Sequence, residues 1–591
     1  MPQQPPTDAP TPAAPGEPAV ADGFAPAQIA ADSVRIEEEQ RSQRAARSVV
    51  GSALVVSLAT LVSRISGLAR DVLTAMLFGF GRDIDAFFLA FTIPNLFRKL
   101  FGEGALSSAM IPVLTRYRLR GDMEATRRLL GTMALLLALG LGGVSAVVIG
   151  IMWLLPAHWF GDVAKFEAFR QYLSVLLPYV VFICLSALQA GALNCWNRFG
   201  LPALTPAIAN VIWVAVLVGI WLSPLRSQPN MAVLVMSAGV LFSGFAQWAL
   251  QIPELKRAKL FSRPRLALGE PGLRETFKAM APMLFALAVF QVNTFMDQLL
   301  AELLVSGDGA VASYAYASRL FQFPLGLVGV ALGTAMFPLM SRFAAANELD
   351  KLTASLLNST RLIAFVALPA AFGLAALAEP ITTLLFGGRT PDTAMLHRCA
   401  LVVAMLCLSL PIVSVLSLLT KAFYALRDHK TPTRLALISV AINLVANIIL
   451  LQTPLKEAGL ALGTALSGAV NLTLMVLALR KRLRGTVLDS MRAAALPATS
   501  ERLAQPMSPS KVREIPRSML RAALVSLVMG VGAYLVEGAL RNKFGLTGRV
   551  SLMVSVAGGI AAGFVIYAGL SLALRAPEME QSLARRRARR T

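Results

Sequence analysis

The sequence has little charge, few acidic residues and almost no histidine or cysteine. Only 15% of its 591 residues are charged, whereas a soluble domain has about 25%. The three histidines and four cysteines are scattered without metal-ligand spacing, so we interpret the cysteines as packing residues and expect no catalytic thiol. No catalytic constellation and no nucleotide-binding loop occurs either. We therefore expect a protein that is not an enzyme and needs no organic cofactor.

Long apolar segments make up most of the sequence. The chain is 56% hydrophobic, its mean hydropathy is +0.64, and apolar runs of about 20 residues, each long enough to span a bilayer, recur along it. The composition predicts an all-α polytopic membrane protein with about fourteen transmembrane helices. The expected spans are 49–78, 84–115, 129–155, 169–195, 202–222, 231–252, 275–304, 311–341, 355–386, 394–425, 433–451, 457–479, 519–537 and 550–574.

Basic residues outnumber acidic ones by 55 to 33, which gives a net charge of +22. In a soluble protein this excess would indicate nucleic-acid binding. Here the basic clusters follow spans two, six, ten and twelve and end the chain, all on one side if the spans alternate. The positive-inside rule then places both termini in the cytoplasm and leaves no nucleic-acid partner.

Two halves of the chain repeat one pattern. "IPVLTRY" at 111–117 resembles "FPLMSRF" at 337–343, and "ALNCWNRFGLP" at 192–202 aligns with "AFYALRDHKTP" at 422–432, at offsets of 226 and 230 residues. Two parallel six-helix lobes are typical of transporters that rock around a central cavity. The expected division is a disordered cytoplasmic tail (1–42), two six-helix lobes (43–260 and 261–484), a cytoplasmic linker (485–517), two further helices (518–575) and a basic tail (576–591).

Three arginines stand at membrane depth on different spans: Arg64, Arg98 and Arg319. If each paired with a nearby acid, from among Asp71, Asp85 and Glu103, the charges would only rigidify the bundle. "ASRLFQFP" offers Arg319 no local acid, however. Arginine presents a fork of donors suited to phosphate oxygens, so the pattern favours a cationic, water-filled cavity for an anionic, phosphorylated substrate.

Four segments carry a family resemblance: "SRISGLARD", "DAFFLAFTIPNLFRKLFGEGALSSAMIPVLTRY", "ALNCWNRFGLPALTP" and "FPLGLVGVALGTAMFPLMSRF". They resemble the MurJ/MviN lipid II flippases of bacterial cell-wall synthesis, and the resemblance runs from about residue 50 to 575. It implies the multidrug/oligosaccharidyl-lipid/polysaccharide exporter fold, with two lobes around a V-shaped cationic cavity and two extra helices that form a groove for a polyprenyl tail. The implied substrate is lipid II, an undecaprenyl pyrophosphate that bears a disaccharide-pentapeptide.

The resemblance also implies site residues. The positions that match the family's functionally important polar groups are Ser63, Arg64, Arg70, Asp85, Asn95, Arg98, Glu103 and Arg319. This chain departs from some members, which have "ADRLMEFP" where it has "ASRLFQFP". Ser318 and Gln322 thus replace two acids, which makes the expected cavity more positive.

A second group of polar residues is a candidate Na⁺ site. Asp297 lies in span seven, Asn443 and Asn447 are one turn apart in span eleven, and Thr464 is in span twelve. Oxygen ligands of this kind suit a hard cation, and the resemblance implies a sodium site on these helices in some members. The alternative is ordinary hydrogen bonding between helices. Asn447 in place of an acidic ligand would weaken such a site.

We therefore expect a monomeric lipid II flippase in the bacterial inner membrane, in contact with membrane lipids and working by alternating access under the membrane potential. One rival is a carrier of another polyprenyl-linked glycan, or a drug exporter of the same superfamily, although a drug exporter would have an acidic cavity for cationic substrates. The other rival is a membrane-embedded glycan-polymerising enzyme that would use Asp71, Asp85 or Glu103.

Overall fold

The computed structural model describes residues 56–159, 162–326, 331–388, 392–493, 509–543, 548–574, 576, 578 and 579. This part of the chain is helical and contains no strand, which confirms the all-α prediction. The helices are α1 (56–78), α2 (Arg82–Phe97), α3 (Leu106–Leu119), α4 (Met123–Leu154), α5 (Val163–Leu176), α6 (Tyr179–Cys195), α7 (Gly200–Leu222), α8 (Pro229–Arg257), α9 (Pro271–Leu304), α10 (Ala310–Leu325), α11 (Ala331–Ala345), α12 (Leu349–Ala376), α13 (Ala378–Phe386), α14 (Thr393–Ala425), α15 (Lys430–Leu451), α16 (Ala458–Ala493), α17 (Pro509–Lys543) and α18 (Arg549–Ala573).

Eleven helical segments of the described residues are long and apolar enough to cross a bilayer, so the chain is a multi-pass membrane protein. The count of fourteen spans stays a prediction. The first expected span begins before the described residues, the second is interrupted between α2 and α3, and the eighth is divided between α10 and α11 around 327–330.

The interruption between α2 and α3 is a π-helical segment, Arg98–Ala105. Pro94, just before it, cannot donate a backbone hydrogen bond, and the two glycines of "FGEGA" favour a helix poorly. Wide π turns inside α-helices are frequent at functional sites. Arg98 is the first residue of this segment.

The internal repeat is visible in the backbone. Left-handed residues recur 226 or 230 positions apart in three pairs: Gly79 and Gly309, Gly121 and Asn347, and Asn197 and Arg427. The last two pairs close their helices in the same way, because the next residue's N–H donates to the carbonyl five residues before it: Asp122 to Tyr117, Glu348 to Phe343, Arg198 to Leu193 and Asp428 to Phe423. Corresponding helices of the two halves therefore end alike. The boundaries of the two lobes stay a prediction.

The predicted linker 485–517 stays a prediction, and helices extend into it from both sides. Helix α16 continues to Ala493 and α17 begins at Pro509, so only 494–508 lies outside the described residues. The leucine, arginine, methionine and alanine residues of 483–493 favour a helix, and proline is well placed at a helix's first position. The tail 1–42 and nearly all of 576–591 also lie outside the described part.

The last two helices pack on each other, and α17 packs along α12. Small residues allow the close approach: a Cβ at Gly559 would lie 3.0 Å from the carbonyl oxygen of Ala533, and one at Gly530 would lie 3.1 Å from that of Phe372. The outer sides of this pair expose large apolar residues such as Leu524, Val531 and Phe564.

We expect Gly309→Ala to destabilise the fold more than Gly307→Ala does. Both glycines have a left-handed φ, +91° and +89°, which costs an L-residue about 1–2 kcal/mol. Only at Gly309 would the new Cβ also lie 2.9 Å from the Phe80 carbonyl oxygen and the Met395 sulfur. Thermal unfolding of the two purified variants measures the difference, and equal melting temperatures would contradict the expectation.

Candidate functional site

Four arginines line one central cavity of about 920 Å³. Arg64 and Arg70 come from α1, Arg98 from the π segment and Arg319 from α10. Helices α2, α6, α7, α8, α12 and α13 complete the walls, so both halves contribute. The structure thus brings together the three arginines predicted to converge, and Ser63 and Asn95 line the same cavity.

Arg64 is the least restrained of the four. Its side chain is exposed and makes no hydrogen bond or ion pair within the described part of the chain. Its guanidinium lies against Gly326, where a Cβ would be only 2.8 Å from Nη2. Glycine at the end of α10 therefore makes room for this charge at the boundary between the two halves.

Arg70 is held by its surroundings instead. Its guanidinium donates to Asp71 Oδ1 at 2.7 and 2.9 Å and to Asn210 Oδ1 at 2.9 Å, and it lies over the ring of Trp213. The Asn210 amide in turn donates to the Ser63 carbonyl oxygen at 2.9 Å, which ties α7 to α1. Pairing with a local acid therefore describes Arg70 well.

Arg319 and Arg98 each have a polar partner close by. Arg319 Nε lies 3.8 Å from Asp71 Oδ2, and Arg98 Nε donates to Asn95 Oδ1 at 3.0 Å. Asp71 is thus shared between two arginines. Among the described residues that line the cavity it is the only carboxylate, so this part of the wall carries a net positive charge.

Asp85, a predicted substrate residue, lies outside this cavity. It is fully buried near the start of α2 and accepts hydrogen bonds from the Gly309 and Ala312 N–H groups, both at 2.7 Å. These groups begin α10, where the helix dipole favours an anion. The position of Asp85 links the two halves of the molecule at one end of the bundle, rather than facing a substrate.

Lys165, which the sequence did not single out, completes this contact. It is 7% exposed, and its Nζ lies 3.1 Å from Asp85 Oδ2 and 2.9 Å from Glu302 Oε2. We call Asp85, Lys165, Glu302 and the two α10 N–H groups the Asp85 closure. The available signal was a lysine directly flanked by apolar residues in "VAKF", because a buried cation needs partners. Tyr316 packs on Phe80, Phe88 and Phe386 beside the closure.

Glu103 belongs to the π segment, and its side chain is outside the described part of the chain. The remaining predicted residues, those of the candidate Na⁺ site, do meet. Asn447 Nδ2 donates to Asp297 Oδ1 at 2.7 Å and to Asn443 Oδ1 at 3.1 Å, and Tyr314 donates to Asp297 Oδ2 at 3.3 Å. Thr464 lies nearby and donates to its own helix.

This cluster is a poor fit for a cation as it stands. The amide nitrogen of Asn447, not an oxygen, faces the carboxylate of Asp297, so a cation would have to displace that hydrogen bond. Hard cations prefer oxygen ligands. The arrangement favours hydrogen bonding between α9 and α15, and the sodium site stays a prediction.

Several known proteins are similar to this chain in sequence. The family model described as lipid II flippase MurJ matches residues 74–503. A probable lipid II flippase MurJ of Vibrio cholerae is 34% identical over 444 residues, 73% of this chain and 82% of that protein. The lipid II flippase MurJ of Burkholderia cenocepacia is 33% identical over 437 residues, 73% and 83% of the two chains.

Solved structures agree on the fold. A lipid II flippase MurJ in an inward closed conformation superimposes with a TM-score of 0.69 at 22% identity and covers 88% of this chain and 99% of its own. An inward-facing multidrug resistance MATE family transporter of the MOP superfamily gives 0.61 at 14% identity, with 73% and 98% covered. Since the family model spans most of the chain and relatives above 30% identity cover nearly three quarters of it, the protein belongs to the lipid II flippase MurJ family.

Proposed function

We propose that the protein carries lipid II from the cytoplasmic to the periplasmic leaflet of the bacterial inner membrane by alternating access. The observation that carries this proposal is the cavity that four arginines from both halves of the chain line together. The family to which the chain belongs is described by this activity. The protein moves its substrate and makes no bond in it.

The arginines would bind the pyrophosphate. Guanidinium groups donate two parallel hydrogen bonds to phosphate oxygens, and Arg64 has no partner in the described residues that would compete for it. Asp71 and Asn210 hold the Arg70 side chain in place, so Arg70 would orient the substrate rather than move with it. The polyprenyl tail stays in the bilayer, and the exposed apolar sides of α17 and α18 offer it a surface.

Loop charges give the orientation. The ends of α3, α6 and α8 meet at one end of the bundle, because Arg118 donates to the Cys195 carbonyl oxygen and Arg198 donates to Glu254. We place this basic end in the cytoplasm. The Asp85 closure then lies at the periplasmic end, so the cavity of this conformation faces the cytoplasm. Both termini would be cytoplasmic and the protein a monomer. An inside-negative potential, worth about 2.3 kcal/mol per charge per 100 mV, would favour outward movement of the anionic headgroup.

A carrier of another polyprenyl-linked glycan would use the same arginines, and only substrate competition separates the two. An exporter of cationic drugs is disfavoured because Asp71, the one carboxylate among the described lining residues, is engaged by arginines.

We expect Arg64→Ala, Arg98→Ala and Arg319→Ala each to lose the ability to sustain a bacterium depleted of its own flippase. Removal of one charged hydrogen-bond partner costs about 1.5–3 kcal/mol, so transport should fall by at least about tenfold. Growth rescue and a lipid II accessibility assay measure the loss, with immunoblots of membranes to confirm insertion.

Two control variants test whether the loss is specific to the guanidinium groups of the cavity. Arg226→Ala, at an exposed position outside the cavity, should support normal growth. Arg64→Lys should recover only part of the activity, because lysine keeps the charge without the fork. Normal growth of all three alanine variants would refute a cationic binding cavity.

We expect Asp85→Ala to open the periplasmic end. The variant leaves two buried N–H groups without an acceptor and Lys165 with Glu302 as its remaining close partner, and each unsatisfied buried group costs about 1–3 kcal/mol. A cysteine introduced at the buried Ser313 of α10 should then react faster with a membrane-impermeant thiol reagent added from the periplasm. Asp308→Asn, whose partly exposed carboxylate is 3.8 Å from Lys165, should change little; equal labelling of both variants would argue against the closure.

We expect transport by the unaltered protein to change by less than about twofold when choline replaces Na⁺, because the Asn447 amide already satisfies Asp297. Asn447→Asp would place a second carboxylate there, and two buried acids need a cation or a proton between them. Its transport should become Na⁺-dependent. A strong Na⁺ requirement of the unaltered protein would instead support the sodium site.

A further inference from the structure

A second, smaller cavity lies beside the arginine cavity. Its volume is about 230 Å³, and its walls are stripes of α2, α9 and α10 with one residue each from α14 and α16. The two cavities share the side chains of Phe91, Asn95, Arg319 and Gln322, so they are adjoining spaces. We call this smaller space the side chamber.

The walls of the side chamber are polar but almost uncharged. Helix α9 contributes Gln291 and Gln298 on one face, and α10 contributes Ser318 and Gln322 one turn apart. Among the described residues that line it, only Lys99 and Arg319 are charged. Phenylalanine rings of α2 and α10 add apolar surface to the wall. Carboxamides and hydroxyls together with apolar rings suit a neutral ligand that carries many hydroxyl groups.

Several of these polar groups are available to a ligand. Within the described residues, the side chains of Gln291, Ser318 and Gln322 make no hydrogen bond. By contrast, Thr92 donates to Gln298 across the two halves, and Thr464 donates to the Leu460 carbonyl oxygen. Unsatisfied amides and hydroxyls that face a cavity cost nothing while water fills it, but a ligand that displaces the water must replace its hydrogen bonds.

The position and size of the chamber indicate which part of the substrate fits. Its volume is below the roughly 300 Å³ at which pockets for drug-sized ligands begin, so one ring fits and a disaccharide does not. Arg319, a wall residue of both cavities, would contact the pyrophosphate. The group next to the pyrophosphate therefore reaches the chamber first.

We propose that the side chamber binds the sugar ring bonded directly to the pyrophosphate, as a neutral, amide-bearing hexose read by Gln291, Ser318 and Gln322. This inference rests on the proposed function. It adds a specificity step: a bare polyprenyl pyrophosphate would satisfy the arginines but leave the chamber's polar groups without partners. Sites built to hydrogen-bond a substrate group discriminate against analogues that lack it.

The test compares two lipids on the purified full-length protein in nanodiscs: undecaprenyl pyrophosphate, and the same lipid with one N-acetylhexosamine on the pyrophosphate. The unaltered protein should bind the sugar-bearing lipid at least about tenfold more tightly, the equivalent of two or three hydrogen bonds. The double variant Gln291→Leu, Ser318→Ala should lose most of that preference through weaker binding of the sugar-bearing lipid alone.

Matched variants separate the chamber from the arginine cavity. Gln452→Leu makes the same exchange at an exposed position outside both cavities and should keep the full preference. Arg319→Ala should weaken binding of both lipids. If the double variant fails to insert, Ser318→Ala alone removes one oxygen atom and should reduce the preference about threefold.

Three results would overturn the inference. Equal affinity of the unaltered protein for the two lipids would show that the sugar is not read. An equal loss for both lipids in the double variant would show that the chamber acts only through the shape of the arginine cavity. If the unaltered protein binds neither lipid, the proposed function itself fails, and this result is distinct from the other two.

Discussion

The architecture depends on the cost of holding guanidinium groups at membrane depth. An isolated charge at the centre of a bilayer costs from about 2.5 to over 10 kcal/mol. Arg64 has no partner in the described residues, and Arg319 shares Asp71 with Arg70. These arginines are tolerable only if water reaches them. Two halves that part around a cavity of about 920 Å³ meet that condition, and they must then close elsewhere to keep the membrane sealed.

Much of this could be predicted from the sequence, because its signals are local. Apolar runs, basic loops and motifs repeated after 226 or 230 residues indicated the helices and the relation of the two halves, and the left-handed residues recur at the same intervals. The convergence of Arg64, Arg98 and Arg319 was also predictable, since the same physical cost applies to each of them.

Partners distant in the chain could not be predicted. Asp85 was expected to face a substrate, yet it accepts from an N–H group 224 residues away. A carboxylate within a span has the same local sequence whether it faces a cavity or the start of another helix. The role of Asn210 was not predicted for a similar reason, because the hydrogen bond that it accepts from Arg70 joins residues 140 positions apart in the sequence. The extension of α16 and α17 into the predicted linker was not foreseen, because a polar segment can continue a transmembrane helix beyond the membrane.

The polar composition of the Asp85 closure suits a contact that must open. In a buried ion pair, the desolvation of Asp85 and Lys165 offsets most of their attraction, and both regain water when the halves part. An apolar contact of the same area would have no such compensation, because its exposure costs about 25 cal/mol per Å². The rings of Phe80, Phe88 and Tyr316 beside it exclude water while the end is closed. The free-energy difference between the two states can thus stay within a few kcal/mol. A substrate needs a preference of about 5.5 kcal/mol to move such an equilibrium from 1:99 to 99:1, and a pyrophosphate held by several arginines can supply it.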